Sequence, residues 1–142
     1  MIFSKETTVE NLNKMSKNTM MEHLGIEFTA VGEDSISATM PVDSRHHQPY
    51  GLLHGGASVA LAETLGSVAA HCSIDAETQY SVGLEINANH LKSVRDGLVT
   101  GTAKPIHRGR STHVWEIKLT NAEEQLVCIS RITMSILNKK LN

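Results

Sequence analysis

The chain of 142 residues has few aromatic side chains, two cysteines, three prolines and no long apolar run. Cys72 and Cys128 lie far apart and form no CxxC motif, which favours a soluble protein in the reducing cytoplasm. No stretch approaches the roughly 18–20 apolar residues of a membrane span, and Met1–Asn18 lacks the apolar region of a signal peptide. The formal net charge of −2 lacks the basic excess that is typical of nucleic-acid binders. We therefore expect neither a membrane nor a nucleic acid as partner.

What remains is the composition of one globular domain that contains eight histidines. A chain of this length buries about 68–70% of its unfolded surface, so a single domain over residues 1–142 needs no disulfide or metal staple. The segment 1–21 has apolar residues at helical spacing between Thr7 and Met21 and predicts a short amphipathic helix. Hydrophobic periodicity then predicts two strands, a long helix and four further strands, at Ile26–Val31, Ile36–Val42, Gly56–Ser73, Gln79–Lys92, Leu98–His107, Thr112–Thr120 and Gln125–Leu137. Consecutive strands joined by short turns are most simply an antiparallel meander, which indicates an α+β fold.

The long helix determines the predicted architecture. Between Gly55 and Ala70, the only charged residue is Glu63, and alanine, valine and leucine occur on every side. A helix that is apolar all round is buried all round. Its small side chains let a curved sheet wrap closely around it, so the sequence predicts a hotdog fold, a long antiparallel sheet wrapped around one central helix.

Glu63 is the sharpest candidate for chemistry, because an ionised carboxylate is rarely buried without a partner. Ser67 lies one turn later and can donate a hydrogen bond to it, and Thr64 adds a second hydroxyl nearby. The alternative is an ordinary glutamate that reaches solvent or forms a salt bridge.

The helix begins at His54-Gly55-Gly56, where unpaired N–H groups and the positive end of the helix dipole can bind the oxygen of a carbonyl under attack. Ordinary helix capping would explain the same residues. Gly55 and Glu63 are eight positions apart, which is about 12 Å of helix rise. One glutamate side chain cannot cover that distance, so a reaction that uses both groups needs two chains. We therefore predict a homodimer with two equivalent sites at its interface.

Two other hypotheses, a metal site and a serine hydrolase, are less favoured by these residues. Adjacent histidines such as His46 and His47 point apart and have no acidic or thiol partner at zinc-ligand spacing, so we predict no metal site. Gly56–Ala60 lacks the last glycine of G-x-S-x-G, which argues against a serine hydrolase.

The predicted strands also carry polar features. Alternation places Glu85, Asn87 and Asn89 on one face of their strand and Val82, Leu84, Ile86, Ala88 and His90 on the other. Lys104–Ser111 holds a basic cluster at a strand connection, with Lys92 and Arg95 in the preceding connection. Such a cluster can bind phosphate groups, although taken alone it more readily indicates an ordinary solvated hairpin.

Met40–Ala69 and Val82–His90 closely resemble the PaaI-like hotdog acyl-CoA thioesterases, and the likeness extends over nearly the whole chain. Within that family the pattern Q-P-x-G-x-x-H-G-G…E is most similar to the 1,4-dihydroxy-2-naphthoyl-CoA hydrolases and the proofreading thioesterases of enterobactin synthesis. The resemblance implies that Gly55 polarises the thioester carbonyl and that Glu63 of the partner chain is nucleophile or general base. It also implies that Gln48 and His54 orient the thioester and water, that Ser67 holds Glu63, and that His90 lies near the acyl ring. The substrate-binding positions implied in the same way are Val82, Gly83, Asn89, His90, Leu91, Lys92, Ser93, His107, Arg108, Gly109, Arg110 and Ser111.

The resemblance therefore implies a thioester hydrolase whose substrate is an aromatic acyl-CoA, with no separate cofactor and with dimers that pair into a homotetramer. Two alternatives stay open. A hotdog dehydratase or isomerase also uses a helix carboxylate with a histidine. A non-catalytic acyl-CoA sensor would need an output module, for which 142 residues leave no room.

Overall fold

The computed structural model describes residues 1–140 and contains three helices and six strands. The helices are α1 (Val9–Met15), α2 (Met20–His23) and α3 (Gly55–Cys72). The strands are β1 (Glu27–Val31), β2 (Ile36–Pro41), β3 (Gln79–His90), β4 (Leu98–Arg108), β5 (Thr112–Thr120) and β6 (Leu126–Asn138). Among these residues, no helix is both long enough and apolar enough to cross a membrane.

The single N-terminal helix predicted between Thr7 and Met21 is instead two short helices. Thr8 caps α1 by accepting the Asn11 N–H, and the chain then turns at Asn18, which has a φ of 59°. Thr19 caps α2 by accepting the Met21 N–H. A left-handed residue cannot continue a right-handed helix, so two N-caps within 12 positions divide the segment.

The six strands form one antiparallel sheet in the order β1-β2-β4-β5-β6-β3. The predicted meander is right for β4, β5 and β6 and wrong for β3, which pairs with β6. One edge of β4 is occupied by β2, through pairs such as Ile36 with Ala103, and its other edge by β5. β3 therefore finds its partner in β6, which it follows from Gln79 to His90. As a result β3 is an edge strand.

The sheet wraps around α3, which packs against β2, β3, β4, β5 and β6. The predicted α+β hotdog architecture is thus confirmed. Glycines permit the close approach: a Cβ on Gly66 would lie 2.4 Å from Ile132 Cγ2, and one on Gly101 would lie 2.5 Å from Leu65 Cδ1. The core is completed by Trp115, which is fully buried.

The expectation that α3 is buried all round is only partly right. One stripe of the helix stays accessible in the single chain, at the spacing of successive turns. Its members are Gly56, Ala60, Glu63, Ser67 and His71. The carboxylate of interest therefore faces an uncovered side of the helix and not the closed core.

A β-bulge changes the predicted faces of β3. The register slips between Gly83 and Glu85, so Leu84 is an extra residue with 64% of its surface exposed. Before the bulge, Ser81 is the more buried residue and Val82 faces outward; after it, Ile86 is the more buried one. Because a bulge inserts one residue into a period of two, Val82 and Ile86 do not share a face. Gly83 consequently faces α3.

Candidate active site

The first half of the candidate site is the start of α3. His54 caps the helix, and its Nδ1 accepts the Gly56 N–H at 2.7 Å. In the neutral ring the remaining hydrogen therefore lies on Nε2. Within residues 1–140 the Gly55 N–H has no acceptor. Of the two glycine N–H groups that could bind an oxyanion, the cap uses one and leaves that of Gly55 free.

Gln48 lies in the loop that precedes α3. Its backbone N–H donates to the Leu52 carbonyl at 2.8 Å, and its side-chain Oε1 accepts the Tyr50 N–H. The side-chain oxygen is thus used to build a turn. In the described part of the chain the side-chain NH₂ has no acceptor, so Gln48 can offer it as a donor to a ligand.

A cavity of about 360 Å³ joins Gln48 to the start of α3. Its lining consists of Gln48, Leu52, Leu53, Gly55, Ser58, His90, Leu91, Lys92, Ser93 and Val127. His90 lies so close to the helix that a Cβ on Gly55 would be 2.8 Å from its Nε2. A side chain at position 55 would therefore displace the His90 ring from its present position. Four predicted substrate-binding residues, His90–Ser93, lie in this cavity.

The second half of the candidate site surrounds Glu63. Ser67 Oγ donates to Glu63 Oε1 at 3.2 Å, as the i,i+4 spacing predicted. A Cβ on Gly83 would lie 3.1 Å from the same carboxylate oxygen. Thr64 does not take part, because its hydroxyl donates to the Ala60 carbonyl at 2.8 Å. Within residues 1–140 no basic side chain pairs with Glu63, so the salt-bridge alternative does not apply there.

The two halves are separate on one chain. Ser67 and Gly83 line a different cavity, of about 280 Å³, together with Met15, Val68, His71, Ser81 and Met134. Gly55 and Glu63 are eight positions apart on the helix, or about 12 Å. A single chain therefore does not bring its own carboxylate to its own free N–H.

The basic cluster lies at the other end of α3. Arg108 donates from Nη2 to the carbonyl of Ser73, which follows the last turn of the helix, at 2.8 Å. Since α3 has 18 residues and is about 27 Å long, Arg108 is far from the Gly55 of the same chain. Arg110 and Gly109 line a cavity of about 320 Å³ at this end, and the neighbouring His107 and Ser111 are exposed. Asn89 is also exposed, but it lies next to His90 at the end of β3. The predicted substrate-binding residues thus fall into three separate groups on the chain.

His113 lies beside the basic cluster and was not among the predicted site residues. It is buried, lines the same cavity as Arg110, and its Nδ1 has no hydrogen-bond partner within residues 1–140. Burial lowers the pKa of His113, and the nearby Arg108 guanidinium lowers it further. The alternation of β5 is the signal that could have found it, because His113 shares the inward face with Trp115 and Ile117.

His46 and His47 point to opposite sides of the loop, as expected. His46 Nε2 lies 2.7 Å from the Leu24 carbonyl oxygen, and His47 Nε2 lies 2.8 Å from that of Arg95. Both rings thus contact backbone. Among residues 1–140 there is no group of three or more histidine, cysteine or acidic side chains positioned to hold a metal ion.

Comparison with known proteins agrees with this geometry. Residues 50–128, more than half of the chain, match the family model described as the thioesterase superfamily. The chain is 50% identical over 137 residues to the 1,4-dihydroxy-2-naphthoyl-CoA hydrolase of Escherichia coli, which covers 96% of this chain and 100% of that relative. It is 49% identical over 137 residues to a proofreading thioesterase of Cronobacter sakazakii, with 96% and 99% covered.

Solved structures give the same result. A thioesterase from Haemophilus influenzae has a TM-score of 0.93 and 53% identity, covering 97% of this chain and 96% of its own. A mutant thioesterase from Pseudomonas aeruginosa has a TM-score of 0.95 and 48% identity, with 98% and 100% covered. Together with the wrapped helix and its free N-terminal N–H, these similarities establish that the chain belongs to the thioesterase superfamily and is a hotdog-fold thioester hydrolase.

Proposed function

We propose that the protein hydrolyses aromatic acyl-CoA thioesters at a site formed by two copies of the chain, with Gly55 from one copy and Glu63 from the other. The observation that carries this proposal is the separation of the two groups. Within residues 1–140, a free N–H that lines one cavity and a carboxylate without a basic partner, next to the Ser67 and Gly83 that line another, lie about 12 Å apart on the same helix. Each is half of a site for acyl transfer, and neither half is complete alone.

The edge of the sheet supports a dimer. β3 has 12 residues and pairs on one side only, and Tyr80, Val82 and Leu84 on it are 41%, 39% and 64% exposed. A long edge strand with exposed apolar side chains is a template for pairing with another strand. Pairing with the β3 of a second copy about a two-fold axis would run the two α3 helices antiparallel and bring each Glu63 toward the start of the other helix. It would also cover the accessible stripe of α3.

The proposed chemistry starts from the thioester carbonyl. Its oxygen accepts the Gly55 N–H, and the charge that develops on it faces the positive end of α3. The Gln48 amide and the Nε2–H of His54 are further donors at the same end of the helix. Glu63 of the second copy either attacks the carbonyl carbon or takes a proton from the water that attacks it. If Glu63 attacks, the C–S bond breaks as an anhydride forms between Glu63 and the acyl group, and water then hydrolyses that anhydride; if water attacks, the C–S bond breaks directly. Either route consumes one water, and the products are the carboxylic acid and the free thiol of coenzyme A.

Coenzyme A would follow the cationic residues. Lys92 and Ser93 line the cavity that contains Gly55, and Arg108 and Arg110 offer guanidinium groups, which suit pyrophosphate and phosphate oxygens. Since Arg108 contacts the end of α3 that is farthest from its own Gly55, the Arg108–Arg110 group would serve the site that contains the Gly55 of the other copy. This proposal accounts for a local basic cluster on a chain with a net charge of −2.

The acyl group would occupy the cavity beside Glu63. Met15, Val68 and Met134 supply apolar surface there, and Met15 and His71 also line an adjoining cavity of about 620 Å³. The two cavities together have room for a two-ring acyl group. The Escherichia coli relative named for 1,4-dihydroxy-2-naphthoyl-CoA makes that ester the first substrate to test.

The first experiment is Glu63→Gln, which keeps the shape of the side chain and the hydrogen bond from Ser67 but removes the charge. We expect kcat with benzoyl-CoA or naphthoyl-CoA, followed as release of free thiol, to fall about 10²–10⁴-fold. Glu116→Gln is the matched control, because Glu116 lies outside both cavities and pairs with Lys118. Turnover within a few-fold of the unmodified enzyme would refute the role of Glu63. If the unmodified protein hydrates an enoyl thioester and releases no thiol, the activity is that of a dehydratase.

The second experiment tests the shared site. Glu63→Gln and Gln48→Ala each inactivate a different half of it. If the halves come from different chains, a mixed dimer holds one doubly altered site and one intact site. Equal mixing should then restore about one quarter of the unmodified activity, since half of the dimers are mixed and each has one working site. Failure to regain activity after demonstrated subunit exchange would refute the two-chain site.

A further inference from the structure

The loop that carries Gln48 and His54 has no regular secondary structure between β2 and α3, so its position depends on individual hydrogen bonds. His46 is the most buried residue in this loop, with 1% of its surface exposed. Its Nε2 lies 2.7 Å from the carbonyl oxygen of Leu24, the C-cap residue that follows α2. Its Nδ1 lies 3.2 Å from both the backbone N and the carboxylate Oδ1 of Asp43.

The direction of the hydrogen bond between His46 Nε2 and the Leu24 carbonyl does not depend on the protonation state of the ring. A carbonyl oxygen only accepts, so Nε2 carries a hydrogen and donates to Leu24 in the neutral and in the charged ring. Nδ1 accepts the Asp43 N–H in the neutral ring and would donate to the Asp43 carboxylate in the charged one. In both states the ring joins Asp43 at the start of the loop to the end of α2. Arg45 Nη1 strengthens the same contact by donating to the His23 carbonyl at 3.0 Å.

The backbone of His46 connects this anchor to the reacting end of α3. The His46 carbonyl accepts the N–H of His54 at 2.7 Å, and His54 caps the helix immediately before Gly55. Two residues after His46, Gln48 enters the cavity. A shift of the His46 backbone therefore moves the cap and the Gln48 side chain together.

The neighbouring histidine holds the opposite side of the loop. His47 Nε2 donates to the Arg95 carbonyl at 2.8 Å, and Leu53 donates its N–H to the Val94 carbonyl at 2.7 Å. Because the two rings point apart, the loop is fixed between α2 on one side and the β3–β4 connection on the other. Of the two rings, only that of His46 is closed off from solvent.

We propose that His46 is a positioning residue for thioester hydrolysis: its Nε2–H bond to Leu24 sets the place of Gln48, His54 and the Gly55 N–H. This inference rests on the proposed function, since it concerns the half of the site that binds the carbonyl. His46 itself does not touch the substrate. Its effect should therefore appear in kcat more than in KM, because Lys92 and Arg108–Arg110 lie outside the loop.

Three variants separate the two bonds of the ring. In His46→Phe both bonds are lost while the ring shape is kept. In His46→Gln the side-chain NH₂ occupies nearly the place of Nε2 and keeps the donor to Leu24. In His46→Asn a shorter group replaces Nδ1 and keeps only the contact with Asp43. His23→Gln is the matched control, because the His23 side chain is exposed and makes no hydrogen bond within residues 1–140.

With benzoyl-CoA as probe, we expect kcat to fall about 10²-fold in His46→Phe, as for a misplacement on the order of 1 Å, with KM within about threefold. His46→Gln should restore most of kcat, and His46→Asn should not. Amide hydrogen exchange at His54 and Gly56, whose N–H groups donate to the His46 carbonyl and to His54 Nδ1, should quicken about tenfold in the Phe and Asn variants and stay slow in the Gln variant, while the interior of α3 is unchanged.

Several results would overturn the proposal. Unchanged kcat and exchange in His46→Phe, or rescue by Asn equal to rescue by Gln, would show that the Leu24 bond is not the determinant. Faster exchange throughout α3 and β5 would show a general loss of stability. If His46→Phe does not fold, the Gln and Asn pair still decides. If Glu63→Gln is active, the proposed function is refuted. Amide hydrogen exchange in the His46 variants would still show whether His46 positions the loop.

Discussion

Gly83→Ala is the substitution that tests the Glu63 environment with the least disturbance. The φ of Gly83 lies outside the positive range, so alanine fits the backbone. The new Cβ would lie 3.1 Å from Glu63 Oε1 and 3.9 Å from Met134 Sδ. Within residues 1–140, the only close contact that the methyl group makes is therefore with the carboxylate proposed to react.

The magnitude follows from that contact. A carbon and an oxygen prefer a separation of about 3.4 Å, so the carboxylate has to withdraw by roughly 0.3 Å. If a misplacement of 1 Å costs about 10²-fold, a shift of this size should lower kcat about threefold to tenfold. The folded state should not suffer, because alanine within a strand is favoured over glycine by about 0.5–1 kcal/mol.

The assay compares kcat for thiol release with the free energy of unfolding in urea. Gly83→Val should lower kcat further than Gly83→Ala, since its branches extend the same contact. Ser135→Ala is the matched control: Ser135 lies on β6 opposite Val82, and its side chain makes no hydrogen bond to Glu63 in the described chain. An unchanged kcat in both Gly83 variants, with normal folding, would refute the proposal that the Glu63 carboxylate reacts from this position. A fall in kcat that is matched by lost stability would refute the local explanation.

Three further outcomes are expected. Gly66→Ala should lower the free energy of unfolding in urea by about 1–3 kcal/mol, because its Cβ would lie 2.4 Å from Ile132 Cγ2 in the core; unchanged stability would contradict the packing. Gly55→Ala and His90→Ala should be non-additive in kcat/KM, since a Cβ on Gly55 would lie 2.8 Å from His90 Nε2; additive losses would show that the ring does not pack there. Burial lowers the pKa of His113 in the folded protein, so as the pH falls below 6.5 this histidine takes up a proton in the unfolded chain before it does so in the folded one. The free energy of unfolding therefore decreases between pH 6.5 and the folded pKa. His113→Leu should flatten that part of the stability curve in urea titrations at successive pH values, and an unaltered slope would contradict this.

Much of the candidate site could be predicted from local spacing. The pair Glu63 and Ser67 needed only the geometry of a helix, in which residues four apart share a face. The free Gly55 N–H follows from the unpaired groups at any helix start, and the use of the Gly56 N–H by His54 follows from capping. These features depend on neighbours within one or two turns.

The strand partners could not be predicted in the same way. β3 precedes β4 in the chain but pairs with β6, because β2 already occupies one edge of β4. The bulge at Leu84 is equally hidden, since alternation in the sequence does not show where a register slips. Without the β3–β6 pairing and the bulge, the sequence does not reveal that Gly83 faces Glu63 or that β3 has an unpaired edge.

By itself, the sequence indicated the six strands, the long central helix and the chemical groups of the candidate site. It also showed that Glu63 cannot reach the Gly55 N–H of its own helix, because helical rise and side-chain reach set limits that no packing can change. The tertiary structure decided which residues meet. It brought His90 against Gly55 and Gly83 against Glu63, left β3 at an edge, and gave His46 a carbonyl 22 residues away in the chain. Such contacts join distant parts of the chain, and they exist only once the sheet has closed around α3.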